Sequence, residues 1–308
     1  MTRPLSFSDL PTEILFKILE ELDPIHRLLT RNVSRQLRSI IDCLDPAIRE
    51  VIFFDDKGDV KCFIYSNHDS RKNAIRFQEG CKVDYKIRKN TVEGACHVDL
   101  ALHFLRPILS NPKLKLESFR LSQAGESIEN LDRFLEFFGK NLRIHAKNLE
   151  VRVDRSINLD PIMALFQPGT LEFIQIDVTK GYQCDLETFL DTEYFKRAKK
   201  VECMNTAALD PVLIDKFLHL SEFDVHVCSL SLENVMKMKE NLSKSWENFE
   251  RCCIASVERL DLDEIAAAVD EEVLHNVYFE WEFPIPDTNH LLYFEFFENS
   301  LIILRILG

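Results

Sequence analysis

The fold of the N-terminal part of the chain is decided by residues 10–41, which read LPTEILFKILEELDPIHRLLTRNVSRQLRSII. Apolar side chains recur every three or four residues in its first half, which is the spacing of one helix face. Asp23 and Pro24 predict the start of a second helix, because the carboxylate can accept orphan N–H groups and the proline presets the first φ. Asn32 indicates a break before a third helix. Three short helices bury too small a core alone, so we expect this module to need the rest of the chain or a partner.

This stretch resembles the F-box, the short helical module that docks a Skp-family adaptor in cullin-RING ubiquitin ligases. The residues that carry the resemblance are Leu10-Pro11, Glu13, Ile14, Leu15, Ile18, Leu22, Asp23-Pro24, Arg27-Leu28 and the closing Val33-Ser34-Arg35-Gln36-Leu37-Arg38. The family usually has Cys where this chain has Ser34 and often Trp where it has Leu37, and both departures leave the apolar pattern intact. The alternative is a helical hairpin that belongs to an ordinary core.

The resemblance implies two partners, a Skp-family adaptor and, through it, a cullin. Because apolar anchors that exclude water dominate such interfaces, the apolar residues of the module are the predicted docking residues. These are Leu10, Pro11, Ile14, Leu15, Ile18, Leu22, Leu28, Leu29, Val33 and Leu37. Some of them must form the internal packing of the module, and the sequence does not separate the two groups.

Composition and charge narrow the class of protein. The chain has 308 residues, is 46% hydrophobic and carries a net charge of −13. Such a charge argues against binding to nucleic acid or to anionic membranes, both of which need a basic surface. The first residues contain no apolar stretch of signal-peptide length, so we expect a cytoplasmic or nuclear protein that is not secreted.

The nine cysteines are an odd number and contain no CxxC pair. Cys62, Cys203 and Cys228 fall within apolar alternation, where a thiol behaves as a small hydrophobe. This usage fits a reducing compartment better than a disulfide framework.

After the helical module, short alternating segments predict a small antiparallel meander. They are 51–54, 60–65, Ile75 with Phe77, and Val83 with Tyr85 and Ile87. The spacing from Val98 to Leu109 then predicts a helix that Pro107 bends and that Asn111-Pro112 ends.

From residue 116 onward, the spacing apolar-x-x-apolar-x-apolar recurs at intervals of 22 to 32 residues. Full copies lie at Leu116/Phe119/Leu121, Leu171/Ile174/Ile176, Leu220/Phe223/Val225, Phe249/Cys252/Ile254 and Leu274/Val277/Phe279, and weaker ones at Val151/Val153 and Val201/Cys203. Helix-like segments lie between them, at 128–138, 161–166, 186–198, 212–220, 232–246 and 262–273. A strand and a helix every 20 to 30 residues is typical of leucine-rich-repeat solenoids, here in degenerate form. The alternative is a non-repetitive α/β sheet, and both predict parallel strands joined by helices.

This region also resembles the FTH domain, which follows the F-box in a large family of nematode proteins. The resemblance rests on segments such as NPKLKL at 111–116, FQPGTL at 166–171 and AKK at 198–200. It implies a fold and a lineage more than a mechanism.

The C-terminal part alternates in Val277, Phe279, Trp281 and Phe283 until Pro284 and Pro286 stop the strand, and 291–297 predicts a returning strand. The tail SLIILRILG is unusually apolar for a terminus. It either packs as a cap on the last repeat, which we favour, or is exposed.

A search for catalytic or metal chemistry gives no constellation. The glycines are isolated, so no phosphate-cradling loop is predicted, and no histidine begins an HExxH motif. Cys96-His97 is an adjacent pair, but adjacency alone does not activate a thiol. The acidic run at Asp261, Asp263 and Glu264 fits a helix N-terminus better than a calcium loop. The basic run at 196–200 fits a helix C-terminus.

The predicted fold class is α/β (α+β overall), with a three-helix F-box followed by an irregular leucine-rich-repeat-like βα array with a mainly parallel sheet. The expected domains are 6–50 (F-box), 51–115 (meander and helix), 116–283 (FTH or repeat-like domain) and 284–308 (C-terminal strand or cap). The resemblance implies a substrate-recognition adaptor of an SCF-type ubiquitin ligase with an unknown target protein, no enzymatic activity, no cofactor and no metal. The alternative is a ligase-independent protein-binding scaffold or regulator that holds one partner on the repeat surface.

Overall fold

The computed structural model of the chain describes residues 10–56, 59–66, 73–78, 82–85, 88–91, 96–124, 129–139, 142–179, 184–273 and 277–308. It divides into two compact units, residues 1–146 with 164–167, and residues 147–163 with 168–308. The chain is a mixed α/β protein in which a helical N-terminal region precedes sheet, as the sequence predicts.

The first unit combines the helical module with a meander. Its helices are α1 (Thr12–Glu20), α2 (Pro24–Arg31), α3 (Arg35–Cys43), α4 (His97–Leu109) and α5 (Glu129–Phe138). Its strands are β1 (Ile48–Asp56), β2 (Asp59–Ser66), β3 (Asn73–Gln78), β4 (Lys82–Tyr85), β5 (Arg88–Thr91) and β6 (Leu116–Ala124). β1 to β5 pair antiparallel in chain order, which confirms the predicted meander, and β6 pairs parallel with β1. Ile87 lies outside the described residues.

The second unit begins with parallel strands joined by helices. Its elements are β7 (Ala146–Val153), α6 (Asp160–Met163), β8 (Phe173–Val178), α7 (Leu186–Leu190), α8 (Glu193–Arg197), β9 (Lys200–Met204), a 3₁₀-helix (Pro211–Phe217), β10 (Glu222–Val227), α9 (Leu232–Ser245), β11 (Arg251–Ser256), α10 (Leu262–Val269), β12 (Tyr278–Pro284), β13 (His290–Phe297) and β14 (Ser300–Leu307). β7, β8, β9, β10 and β11 pair parallel in chain order, as the repeat predicts.

In the sheet of the second unit, strand pairing changes from parallel to antiparallel after β11. The order is β7-β8-β9-β10-β11-β14-β13-β12, and β14 pairs antiparallel with both β11 and β13. The predicted repeat copy at Leu274/Val277/Phe279 is therefore wrong as a parallel strand, because β12 starts at Tyr278 and pairs antiparallel with β13. Leu274 itself lies outside the described residues. The apolar tail forms β14, with Leu301 and Ile303 fully buried, so the packed alternative is confirmed.

Two segments that were each predicted as one α-helix have a different helical structure. The segment 186–198 is two short helices, α7 and α8, because Thr192 starts a new helix by accepting the backbone N–H of Phe195. The segment 212–220 is the 3₁₀-helix, which begins at Pro211 after Asp210 caps it. The acidic run at residues 261–264 is a helix start as predicted, since the Asp261 carboxylate accepts the N–H of Glu264.

Aromatic rings fill the core of each unit. In the first unit, the ring centroids of Phe53 and Phe134 are 4.7 Å apart. In the second, Phe217 lies 5.1 Å from Phe195 and 5.5 Å from Phe223, measured in the same way. The alternating burial of β8 and β10 shows that one face of this sheet carries the core.

Candidate functional site

The helical module has a small core of its own. It consists of Leu15, Leu19, Leu37, Ile40, Ile41 and Leu44, all at most 7% exposed, with Leu10, Phe16 and Leu22 packed against it. Of the predicted docking residues, Leu15 and Leu37 therefore stabilise the module from inside. Leu10 and Leu22 are half-buried at the edge of this core.

The remaining predicted residues lie at the surface. Ile14 is 41% exposed, Ile18 38%, Leu29 51% and Val33 74%, and Pro11 is exposed at the start of α1. Ile14 and Ile18 are one helical turn apart and so share one side of α1. Two partly exposed aliphatic side chains therefore lie side by side on α1.

Leu28 lines a groove beside α2. This groove encloses about 460 Å³ and is bounded by Leu28, Leu29, Phe104, Arg106 and Pro107 among others. Arg31 also reaches it, but its guanidinium is engaged by the Asp42 carboxylate at 2.6 and 2.9 Å. Leu29, which is exposed on α2, thus borders a partly apolar recess.

Arg27 holds the three helices together. Its buried guanidinium donates to the backbone carbonyls of Glu20 at 2.6 Å, Leu22 at 2.8 Å and Asp45 at 2.7 Å. Glu20 is the last residue of α1, Leu22 lies between α1 and α2, and Asp45 follows α3, so one side chain ties the ends of two helices to α2. Burial lowers the pKa of Arg27 from its ordinary value. The sequence carries no signal for this role, because an arginine in an amphipathic helix normally points to solvent.

Side-chain caps fix where α2 and α3 begin. The Asp23 carboxylate accepts the backbone N–H groups of Ile25 and His26, both at 3.0 Å. Burial by itself raises the pKa of Asp23, but the hydrogen bonds from His26 and its charge outweigh this, so the pKa lies below its usual value. Ser34 caps α3 through the N–H of Leu37 at 3.2 Å.

The module is also attached to the loop that follows α4. The Asn111 amide donates to the Leu44 carbonyl at 3.3 Å, and the Lys113 ammonium donates to the Cys43 carbonyl at 2.5 Å. These contacts support the short helices from the end of α3. They do not involve the exposed side of α1.

The candidates for catalysis or metal binding have ordinary surroundings. Cys96 precedes α4, and its sulfur lies 3.2 Å from a guanidinium nitrogen of Arg133, which also contacts Asp99 at 2.8 Å. His219 contacts the carbonyls of Lys216 and Phe195, as a structural histidine does. Among the residues that the structure describes, no group of three or more His, Cys, Asp or Glu side chains is placed to hold a metal ion.

The basic run at 196–200 is neutralised by neighbouring carboxylates. The Lys199 ammonium lies 2.9 Å from Glu172, and the Lys200 ammonium lies 3.1 Å from Glu202 and 3.0 Å from Glu222. Cys228 differs from the prediction, because it follows the end of β10 and is exposed, whereas Cys62 and Cys203 are buried as predicted. Within the described part of the chain, no helix is long and apolar enough to cross a membrane.

Comparison with known proteins agrees with this geometry. A model of the F-box domain matches residues 7–48, and a model of the FTH domain matches residues 128–272. The F-box A protein 224 of Caenorhabditis elegans is 24% identical over 283 residues, which cover 88% of this chain and 71% of that protein. No solved structure matches the chain. The chain therefore carries an F-box domain followed by an FTH domain.

Proposed function

We propose that this chain is the substrate-recognition subunit of an SCF-type ubiquitin ligase. Its F-box docks a Skp-family adaptor, which connects it to a cullin, and its second unit binds a target protein. The chain itself makes and breaks no bond. It contributes proximity, because it holds a lysine of the target near the ubiquitin-charged enzyme.

One observation carries this proposal. The F-box completes an internal core around Leu15 and Leu37, yet it leaves Ile14, Ile18 and Leu29 in solvent. The exposed part of these side chains, between 38% and 51%, contributes no packing within the chain, whereas burying it against an adaptor would release the water that covers it. The docking surface consists of the exposed residues Pro11, Ile14, Ile18, Leu29 and Val33, flanked by Leu10, Leu22 and Leu28.

The second unit supplies the target-binding half of the proposal. In this proposal, the parallel strands β7 to β11 and their connecting helices act as the irregular leucine-rich-repeat-like array that presents a broad surface to the target. The absence of an enzymatic role and the location in cytoplasm or nucleus belong to the same proposal.

The test is capture of a Skp-family adaptor by the purified full-length chain. Ile14→Glu with Ile18→Glu places two charges on the docking surface without entering the core, and we expect at least about a tenfold loss of affinity, since buried apolar anchors dominate such interfaces. Ser245→Glu with Asn248→Glu is the matched control, because it adds the same charge at exposed positions on and after α9, outside the module, and we expect little change. Leu10→Ala with Pro11→Ala should also abolish capture.

Circular dichroism and thermal melts of the variants establish that the fold is intact. If the wild-type chain captures no adaptor, or if the double glutamate variant captures it as well as the wild type does, the adaptor role is wrong.

A further inference from the structure

The sheet of the second unit has one covered face and one open face. Ile174, Ile176, Phe223 and Val225 point to the covered face and are at most 2% exposed. The alternate residues of every strand from β7 to β14 are half-buried or exposed. Because successive residues of a strand point to opposite faces, the partly exposed set forms one continuous open face.

The strand register places the residues of the open face in rows. Glu280 is paired with Glu295, Glu295 with Ile302, Ile302 with Cys253, Cys253 with Asp224 and Asp224 with Glu202. The neighbouring row runs Glu282, Tyr293, Leu304, Arg251, Glu222, Lys200.

These two rows have a mostly apolar middle and acidic flanks. The middle, on β11 and β14, consists of Cys253, Ile302 and Leu304 together with the basic residue Arg251. Glu202, Glu222 and Asp224 lie on one flank, and Glu280, Glu282 and Glu295 lie on the other. Six acidic residues face two basic ones, Lys200 and Arg251, which leaves a net charge of −4 on the two rows.

The basic residues neutralise the first flank only in part. The Lys200 ammonium contacts both Glu202 and Glu222, while the Arg251 guanidinium stays 3.8 Å from the Asp224 carboxylate. Burial raises the pKa of Asp224, and repulsion by Glu202 and Glu222 adds to the effect. On the second flank, Glu280 accepts the hydroxyl hydrogen of Tyr278, and the hydrogen bonds from Tyr278 and Tyr293 keep its pKa low, so it carries its charge.

The spacing of the flanks determines the shape of a fitting partner. β10 and β13 are separated by three inter-strand gaps, or about 14 Å. An α-helix is about 10–12 Å wide with its side chains, so it can rest on the apolar middle while lysine or arginine side chains on its two sides reach both flanks. An extended strand is too narrow to reach both.

We propose that the open face, centred on Ile302 and Leu304 between the two acidic flanks, binds a cationic amphipathic helix of the target protein. The apolar stripe of this helix lies on β11 and β14, and basic residues on either side of the stripe pair with the flanks. The inference deepens the target-binding half of the proposed function, on which it rests, by naming the surface and the chemistry of the partner. A second copy of this chain does not fit, because it would bring the same acidic flanks together.

The test uses the full chain and a designed probe, a synthetic peptide of leucine and lysine of about 18 residues whose leucines form one helical stripe flanked by lysines. A scrambled peptide of the same composition and a leucine–glutamate version are the control probes. We expect the full chain to bind the striped lysine peptide at least about tenfold more tightly than either control, with an affinity that falls as salt rises.

Paired variants locate the binding site. Asp224→Asn with Glu295→Gln removes one charge from each flank, and we expect about a tenfold loss of peptide affinity. Glu240→Gln with Glu247→Gln makes the same change in charge at exposed positions on and after α9 and should leave affinity unchanged. Glu282→Lys, at an exposed position of β12 on the second flank, is a further variant in case the first pair impairs folding, and it should also weaken peptide binding.

Equal binding of the scrambled peptide, an equal loss in the α9 pair, or a self-associated wild-type chain that the flank variants disperse would each overturn the inference. Adaptor capture is measured on the same proteins. If the chain binds the striped peptide but no adaptor, the proposed function is wrong while helix binding by the open face stands. If the chain binds the adaptor but not the striped peptide, only helix binding by the open face is wrong.

Discussion

Arg27 connects the three helices of the F-box through hydrogen bonds to the backbone. Its guanidinium is buried and serves the carbonyls of Glu20, Leu22 and Asp45. Removing a charged donor from such a site leaves the carbonyls without their partner, which costs more than the net value of the hydrogen bonds themselves.

We therefore expect Arg27→Met, which keeps the length of the side chain, to destabilise the module by about 2–4 kcal/mol. Hydrogen exchange of the amides in α1, α2 and α3 measures this directly, since protection should fall there first. Arg38→Met, at an exposed position of α3, is the control and should change protection by less than about 0.5 kcal/mol. Equal effects of the two variants would contradict the role of Arg27.

Replacing Asp224 should stabilise the chain, whereas replacing Arg27 should destabilise it. Burial raises its folded-state pKa above the unfolded value of about 3.9, so the native chain binds more protons in that range than the unfolded chain does. The carboxylate therefore lowers stability as pH rises from the unfolded pKa to the folded one, and the full cost is present at neutral pH.

Asp224→Asn should accordingly raise the thermal midpoint at pH 7, and the difference from the wild type should shrink toward pH 3. The side chain is 34% exposed and solvent screens its charge, so we expect a gain below about 1 kcal/mol. Melting curves across this pH range are the measurement. A variant that is less stable than the wild type at pH 7 would show that Arg251 more than compensates the burial of the carboxylate.

The sequence could predict the docking residues only as a group. Ile14, Leu15, Ile18 and Leu19 are all aliphatic and form one wide stripe on α1, and nothing in their identity distinguishes the buried pair from the exposed pair. That distinction depends on where α3 packs, which is set by contacts with Leu37, Ile40 and Ile41. The helix start at Asp23 and the break at Asn32 could be predicted from the sequence, because both depend on residues within a few positions along the chain.

At the scale of elements, β14 shows how a terminal segment can complete a sheet. It lies between β11 and β13 and pairs with both, so it supplies hydrogen bonds to two strands at once. Its pattern of alternating apolar residues was visible in the sequence, but its two neighbours were not, since strand partners are chosen by contacts between residues far apart in the chain.

A chain that ends at Asn299 should lose the cooperative unfolding of its second unit and aggregate, because it exposes the edges of β11 and β13 together with Phe294 and Phe296. Removing only Leu307 and Gly308, which are exposed, should leave unfolding unchanged. Chemical denaturation followed by circular dichroism, with light scattering for aggregation, distinguishes the two truncations. If the shorter chain unfolds as the full chain does, β14 does not contribute to the stability of the sheet.

At the scale of the whole molecule, the spacing of the repeat predicted the parallel strands correctly but did not predict where the parallel part of the sheet ends. Parallel order from β7 to β11 follows from one strand and one helix in each interval, since a connecting helix returns the chain to the same edge. After β12 the connections between strands become short, which favours antiparallel pairing. The copy at residues 274–279 leads into β12, which follows the helix α10 as a repeat strand would, but β12 pairs with β13 and not with β11.

The distribution of the thiols allows the two units to be followed separately. Cys62 lies in the first unit and Cys203 and Cys252 in the second, and all three are buried, whereas Cys43 and Cys228 are exposed. Burial raises the pKa of Cys62, Cys203 and Cys252, so they are neither ionised nor accessible in the native chain. Burial also raises the pKa of Cys184, to about 12.

In native buffer near pH 7.5, we expect a thiol reagent to modify Cys43 and Cys228 rapidly and the buried cysteines only through opening of the unit that contains them. With rising denaturant, Cys62 should report the opening of the first unit, and Cys203 and Cys252 should become reactive together at the midpoint of the second. Peptide mass spectrometry assigns each modification, and Cys228→Ser should remove its fast modification without moving either midpoint. Fast native labelling of Cys252, or labelling of Cys203 and Cys252 at different midpoints, would contradict a single cooperative core beneath the open face.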